Sequence, residues 1–202
     1  MEMTFDRTVK FTAWLLLLAA LSQPIYTALY MLAPEVNRSP IWAFEALVFV
    51  IMAALAGSAL VQTKRYHLAW AAIAMSAVLN VIQVGIGLTQ FGPFREVATA
   101  SPDVAPLAGS VVAFSFFGYN AAKVLLGLAA LVFGTAKMAQ GGKVLGGLTA
   151  LVGVIAMISN AVVMGFGLSM SMTGGGLMPS GASGVLAALL LALCLFTQPS
   201  DD

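Results

Sequence analysis

Long runs of apolar residues alternate along this chain with short clusters of charge, proline and glycine. A helix rising 1.5 Å per residue needs about 20 apolar residues to cross about 30 Å of hydrocarbon. Apolar runs can be drawn near residues 9–32, 41–62, 68–91, 110–136 and 144–170, with a shorter one near 184–196. The pattern predicts an all-α polytopic membrane protein of six transmembrane helices, with residues 1–202 forming a single transmembrane domain. Between the runs lie Pro34 and Pro40, then Pro93, Pro102 and Pro106, then Gly174, Gly175, Gly176 and Pro179. These breakers alternate with tight links over residues 63–67 and 137–143, as helix hairpins require.

Charge orients the hairpins. Arg7, Lys10, Lys64, Arg65, Lys137 and Lys143 fall on one side of this arrangement, and Arg38 and Arg95 on the other. The excess of Lys and Arg on cytoplasmic loops places both termini in the cytoplasm, in a multi-pass protein of the bacterial inner membrane. Trp42, Tyr66, Trp70 and Phe94 stand near predicted span ends, where amphipathic rings favour the headgroup level. Arg7 and Lys10 followed by an apolar run to Ser22 resemble a signal peptide, but the run continues to Leu32, so an uncleaved first helix is expected.

Composition then narrows the function classes. The chain is 60% hydrophobic and 8% charged, with a mean hydropathy of +0.98, against about one quarter charged in soluble domains. The lipid bilayer is the expected surrounding, and the net charge of +1 argues against a nucleic-acid partner. One cysteine, Cys194, and one histidine, His67, argue against an intrachain disulfide and against a metal or cofactor; none is expected. His67 reads as an interfacial residue, and the 11 methionines as flexible apolar filler.

An internal echo accompanies the periodicity. Asn80, Gly85, Gly87, Leu88 and Thr89 match Asn160, Gly165, Gly167, Leu168 and Ser169 at one constant offset, and Gly57, Ser58 and Ala59 resemble Gly134, Thr135 and Ala136. Gln23 stands loosely where the two asparagines stand, so related helix hairpins in parallel orientation are expected. Coincidence within a Gly-, Ala- and Leu-rich composition is the alternative.

Lys123 is the most informative residue, placed near the middle of the fourth span. A lysine at the bilayer centre costs about 2.5–3.5 kcal/mol on insertion scales, so it is expected to face protein, water or a ligand. Asn120 and Tyr119 lie one turn before it. Glu45 is the acidic residue inside a predicted span and the candidate charge partner, but span counting sets it about 15 Å from the depth of Lys123 at 1.5 Å per residue. Pairing with Arg38, or interfacial exposure, competes with that reading. Ser76, Asn80, Gln83, Gly87 and Gln90 form one polar stripe expected to face away from lipid. Gly146, Thr149, Gly153, Ala156, Asn160 and Gly167 form a small-residue seam for close helix packing. Gln23, Tyr26 and Tyr30 share a face of the first span beside Pro24, which removes one helix hydrogen bond there.

Buried polar groups must find partners, so Gln23, Tyr26, Asn80, Gln83, Tyr119, Asn120, Lys123 and Asn160 are expected to converge as a ligand-binding set. The expected function is binding or passage of a small polar or anionic organic solute through a cavity centred on Lys123. Two alternatives stand: a non-catalytic subunit that associates with itself or with other membrane subunits, in which the polar set is packing glue, and a membrane enzyme using Lys123 as an amine. No His, Ser or carboxylate dyad assists that amine, so the chain leans away from catalysis.

Overall fold

The structure, a computed structural model, describes residues 3–167 and 180–198. Its described residues form six α-helices: α1 Phe5–Leu32, α2 Ser39–Gln62, α3 His67–Ala100, α4 Ala105–Ala139, α5 Lys143–Phe166 and α6 Ser180–Phe196, with a 3-10 turn Pro102–Val104 between α3 and α4. Helices α1 to α5 are long and apolar enough to cross a membrane, and α6 is a shorter apolar helix. The chain is therefore a helical, multi-pass membrane protein. Neighbours in sequence pack as neighbours in space from α1 to α5, and α6 closes the bundle by packing on α1, α4 and α5.

Size is distributed in the way a lipid-facing bundle requires. Along α5, Gly146, Thr149, Gly153, Ala156 and Asn160 are buried, whereas Leu148, Leu151, Ile155 and Ile158 point outward. Lipid tails are as apolar as a leucine, so large side chains gain nothing by turning inward, and small ones let backbones approach. The α4–α5 contact shows the result. A Cβ built on Gly127 would lie 2.7 Å from the Gly153 carbonyl, and one on Gly134 would lie 2.7 Å from the Gly146 carbonyl. The converse contacts are 2.6 Å at both Gly146 and Gly153. Two glycine pairs thus face each other in antiparallel register. The seam expected on α5 is buried to Asn160, while Gly167 sits exposed at the helix end with φ of 80°.

Two expectations about the ends are corrected. Pro93 lies inside α3, which runs on to Ala100, and α4 begins already at Ala105, so the proline-rich stretch is a helical hairpin with a one-turn link. A proline removes a single hydrogen bond, and water or headgroups beyond the hydrocarbon can satisfy the freed carbonyl. Helices of 34 and 35 residues are longer than the membrane core requires, so α3 and α4 extend past α2 at that end. Trp70 is likewise no interfacial ring: it is buried, edge-on to Phe5 at 6.1 Å and to Phe133 at 5.4 Å.

The basic residues Arg7, Lys10, Lys64, Arg65, Lys137 and Lys143 gather at one end of the bundle, where Lys137 Nζ donates to the Thr197 carbonyl and His67 is exposed. The positions that echo each other in sequence pack differently. A Cβ on Gly57 meets nothing within 4 Å, whereas its counterpart Gly134 is enclosed, and Gly87 abuts Trp42. Leu168, Ser169, Met170, Met172, Gly174, Gly175, Gly176 and Pro179 lie outside the described residues.

Candidate functional site

Helix α4 carries Lys123 into the interior, where the residue is 2% exposed. Gly184 on α6 makes the room: a Cβ there would lie 2.6 Å from Lys123 Cδ, so the aliphatic stem runs across a glycine. The ammonium ends beside α1, where Nζ donates to Gln23 Oε1 at 3.2 Å and lies 4.9 Å from the centre of the Tyr119 ring. Tyr119 completes the arrangement by donating its hydroxyl to the same Gln23 oxygen at 3.3 Å. An ammonium has three donors. One is engaged by Gln23, and the ring face offers a cation–π contact to the same charge.

Glu45 enters from α2 and is 6% exposed, so the interfacial reading is corrected. It does not pair with Arg38, whose guanidinium bonds the Pro34 carbonyl at 3.1 Å and lies over the rings of Tyr26 and Tyr30. The Glu45 carboxyl instead meets the Ser22 hydroxyl at 2.6 Å, and Ser22 is the chain neighbour of Gln23. The two charges therefore approach adjacent residues of α1. They are near enough to interact coulombically, although no ion pair within 4 Å joins them. The two heads reach neighbouring residues of α1, Ser22 and Gln23, without forming the direct pair that span counting argued against.

The three asparagines occupy one level of the bundle. Ser76 Oγ donates to the Ala122 carbonyl and the Ser115 hydroxyl to the Gln83 carbonyl, a register that sets Asn80 opposite Gly118, two residues from Asn120. Across the other face of α4, the glycine register continues one further step of seven residues and sets Asn120 opposite Asn160. Each asparagine is buried and donates Nδ2 to the carbonyl four residues back: Asn80 to Ser76 at 2.9 Å, Asn120 to Phe116 at 2.7 Å and Asn160 to Ala156 at 2.8 Å. Among the described residues, each Oδ1 has no hydrogen-bond partner. The amide orientation follows from chemistry, since a backbone carbonyl can only accept. Each Nδ2 is thus spent on its own helix, which leaves the amide oxygen as the polar atom free to accept.

The remaining expectations divide. Gln83 joins the layer through Ser115, at 3.5 Å from its Nε2, while Gln90, at the end of the same stripe, is exposed. Tyr26 belongs elsewhere: it stacks on Trp42 at 5.2 Å, and Trp42 meets Phe91 edge-on at 5.8 Å, forming an aromatic group at the end opposite the basic residues. Ser159 and Ser183, which share a hydrogen bond of 2.9 Å, and Ser22 are buried polar residues that the sequence reading passed over. Their small-polar identity resembles packing seam in sequence, and only the register reveals them. Among the described residues no group of His, Cys, Asp and Glu is assembled to hold a metal ion. Comparison of the chain with protein-family models, with curated proteins and with solved structures finds no match.

Proposed function

We propose that this chain is a six-span protein of the bacterial inner membrane, with both termini in the cytoplasm, that binds or passes a small polar or anionic organic solute at the layer holding Lys123. The observation that carries the reading is the hydrogen-bond deficit of that layer. Among the described residues, three buried amide oxygens lack partners at the level where a buried ammonium has one acceptor for its three donors. Buried polar groups in native proteins are satisfied by protein, water or ligand, and each one left unmet costs about 1–3 kcal/mol. Water or a solute with both donors and acceptors meets the requirement: Lys123 receives its acceptor or anionic group, and Asn80, Asn120 and Asn160 receive its donors.

The small-residue seam of α5 packs inside the chain against α4, so that seam is not free to receive another subunit. The test is uptake and retention of a panel of radiolabelled small polar and anionic metabolites by vesicles containing the purified chain, with Lys123→Met as the paired control. Retention of a solute by the wild type and its loss in Lys123→Met supports the site. A panel without any Lys123-dependent solute, from a folded protein, removes this reading and returns the layer to a structural role.

A further inference from the structure

Ser22 has two acceptors within reach of its one hydrogen. Its hydroxyl lies 2.6 Å from Glu45 Oε1 and 3.0 Å from the Ala19 carbonyl, both acceptors when Glu45 is ionised, yet a hydroxyl has one hydrogen to give. Two hydrogen arrangements resolve this without moving a heavy atom. With Glu45 ionised, Ser22 donates to the carboxylate and the Ala19 carbonyl keeps its helix partner. With Glu45 protonated, the carboxyl O–H donates to Ser22 Oγ, and the serine hydrogen turns to Ala19. Rotation of one hydroxyl thus satisfies both forms.

Burial works against a charge on Glu45, and Lys123 brings the opposite charge to the neighbouring residue of α1 without touching it. The ionisable and charged groups around Glu45 are few. Helix α4 presents Lys123 and Tyr119. Helix α1 presents Tyr26 one turn further out, with Arg38 of the following link above it. Helix α3 has no ionisable side chain between His67 and Arg95, and α2 has none but Glu45.

We propose that Glu45 is a proton-exchange site, cycling between carboxylate and carboxylic acid inside the bundle, with Ser22 as the hydroxyl that serves both states. Each cycle adds one proton from the aqueous phase to a Glu45 carboxylate oxygen, with no other bond made or broken. The Glu45–Lys123 pair passes from no net charge to one uncompensated positive charge on Lys123. Resting on the solute reading above, this couples protonation to the binding of an anion: a proton on Glu45 frees the ammonium to act as counter-ion, and deprotonation restores the internal pair and weakens the hold.

The experiment is infrared difference spectroscopy of the full chain in lipid vesicles, stepped in pH without added solute, on the wild type, Glu45→Gln, Ser22→Ala and Lys123→Met. The wild type is expected to show a protonated-carboxyl carbonyl band that appears reversibly on acidification and is absent from Glu45→Gln. In Ser22→Ala, which retains the titrating acid, the band changes frequency as the carboxyl O–H loses its acceptor. In Lys123→Met, the band persists to higher pH by about one unit or more, because the field favouring the carboxylate is gone. A Glu45-dependent band that never appears while the protein stays folded, or that keeps constant intensity across the folded range, overturns the proposal. Because no solute is present, a titrating Glu45 stands even if the uptake panel fails, and a positive panel with a silent Glu45 removes only the coupling.

Discussion

Gln23 and Lys123 meet at 3.2 Å between α1 and α4, and that same glutamine oxygen also takes the Tyr119 hydroxyl. The contact fixes where the charge ends. An extended lysine side chain has a wide range of termini, but its stem is held against Gly184 and its head is drawn to an oxygen on α1, beside the segment that receives Glu45. Gln23 and its neighbour Ser22 therefore receive the positive and the negative group side by side on α1.

Replacing Gln23 by leucine should leave a buried ammonium without its amide acceptor, at a cost of about 1–3 kcal/mol or more because the donor is charged. Thermal unfolding in detergent should show a clear loss of stability in Gln23→Leu and a smaller change in Lys123→Met. The double variant should recover most of the loss, since removing both partners leaves nothing unpaired. Simple addition of the two effects would mean that the contact carries no coupling.

The asparagines make a sharper separation between glue and site. Each side chain bonds a carbonyl on its own helix, and those carbonyls already serve the helix ladder. Asn80→Leu and Asn120→Leu should therefore change stability by less than about 1 kcal/mol, since the lost intrahelical bond is offset by removal of an unsatisfied buried oxygen. Solute retention should fall at the same time. Asn160 differs, because it also bonds the Ser180 carbonyl of α6 at 3.1 Å, so Asn160→Leu should cost stability as well. Unfolding midpoints and vesicle uptake measured on the same three variants check this, and large destabilisation in all three would identify interhelical glue.

Periodicity made the helices legible because lipid imposes one requirement on every span, about 20 apolar residues, and Lys123 was legible because nothing else in its span is charged. The burial of Glu45 was not legible, nor was the length of α3 and α4, because hydropathy ends where Pro93 and Pro106 begin, although the helices include both. Ser22 was missed for a different reason: a serine among alanines carries no pattern, and its meaning comes from the carboxyl that α2 brings to it. Tyr26 was drawn into the site by sharing a face with Gln23, but a stacking partner on α2 holds it one turn away.

The α4–α5 seam predicts a position-specific effect of one methyl group. At Gly134 an added Cβ would lie 2.5 Å from the Ala150 nitrogen and 2.7 Å from the Gly146 carbonyl, both backbone atoms that cannot turn aside. Gly134→Ala should push the helices apart and cost about 1–3 kcal/mol as overpacking. At Gly57, where no atom lies within 4 Å, the same change should be neutral or stabilising, since alanine favours a helix over glycine. Unfolding of both variants in one detergent measures the contrast, and equal effects would show that the seam is not under contact constraint.

Orientation can be read with a single-cysteine strategy because the native thiol is sequestered. Cys194 is fully buried, with its sulfur 3.2 Å from the Thr149 hydroxyl, so a membrane-impermeant maleimide should label it only after unfolding. In a Cys194→Ala background, a cysteine at exposed Lys64 belongs to the basic end, and one at exposed Glu96 belongs to the opposite end beyond Pro93. The excess of basic residues at the first end predicts that intact cells label Glu96→Cys and protect Lys64→Cys until they are permeabilised. The reverse pattern would place the basic end outside and invert the direction from which a solute reaches Lys123. Labelling of both from outside would mean that α3 does not cross the membrane between them.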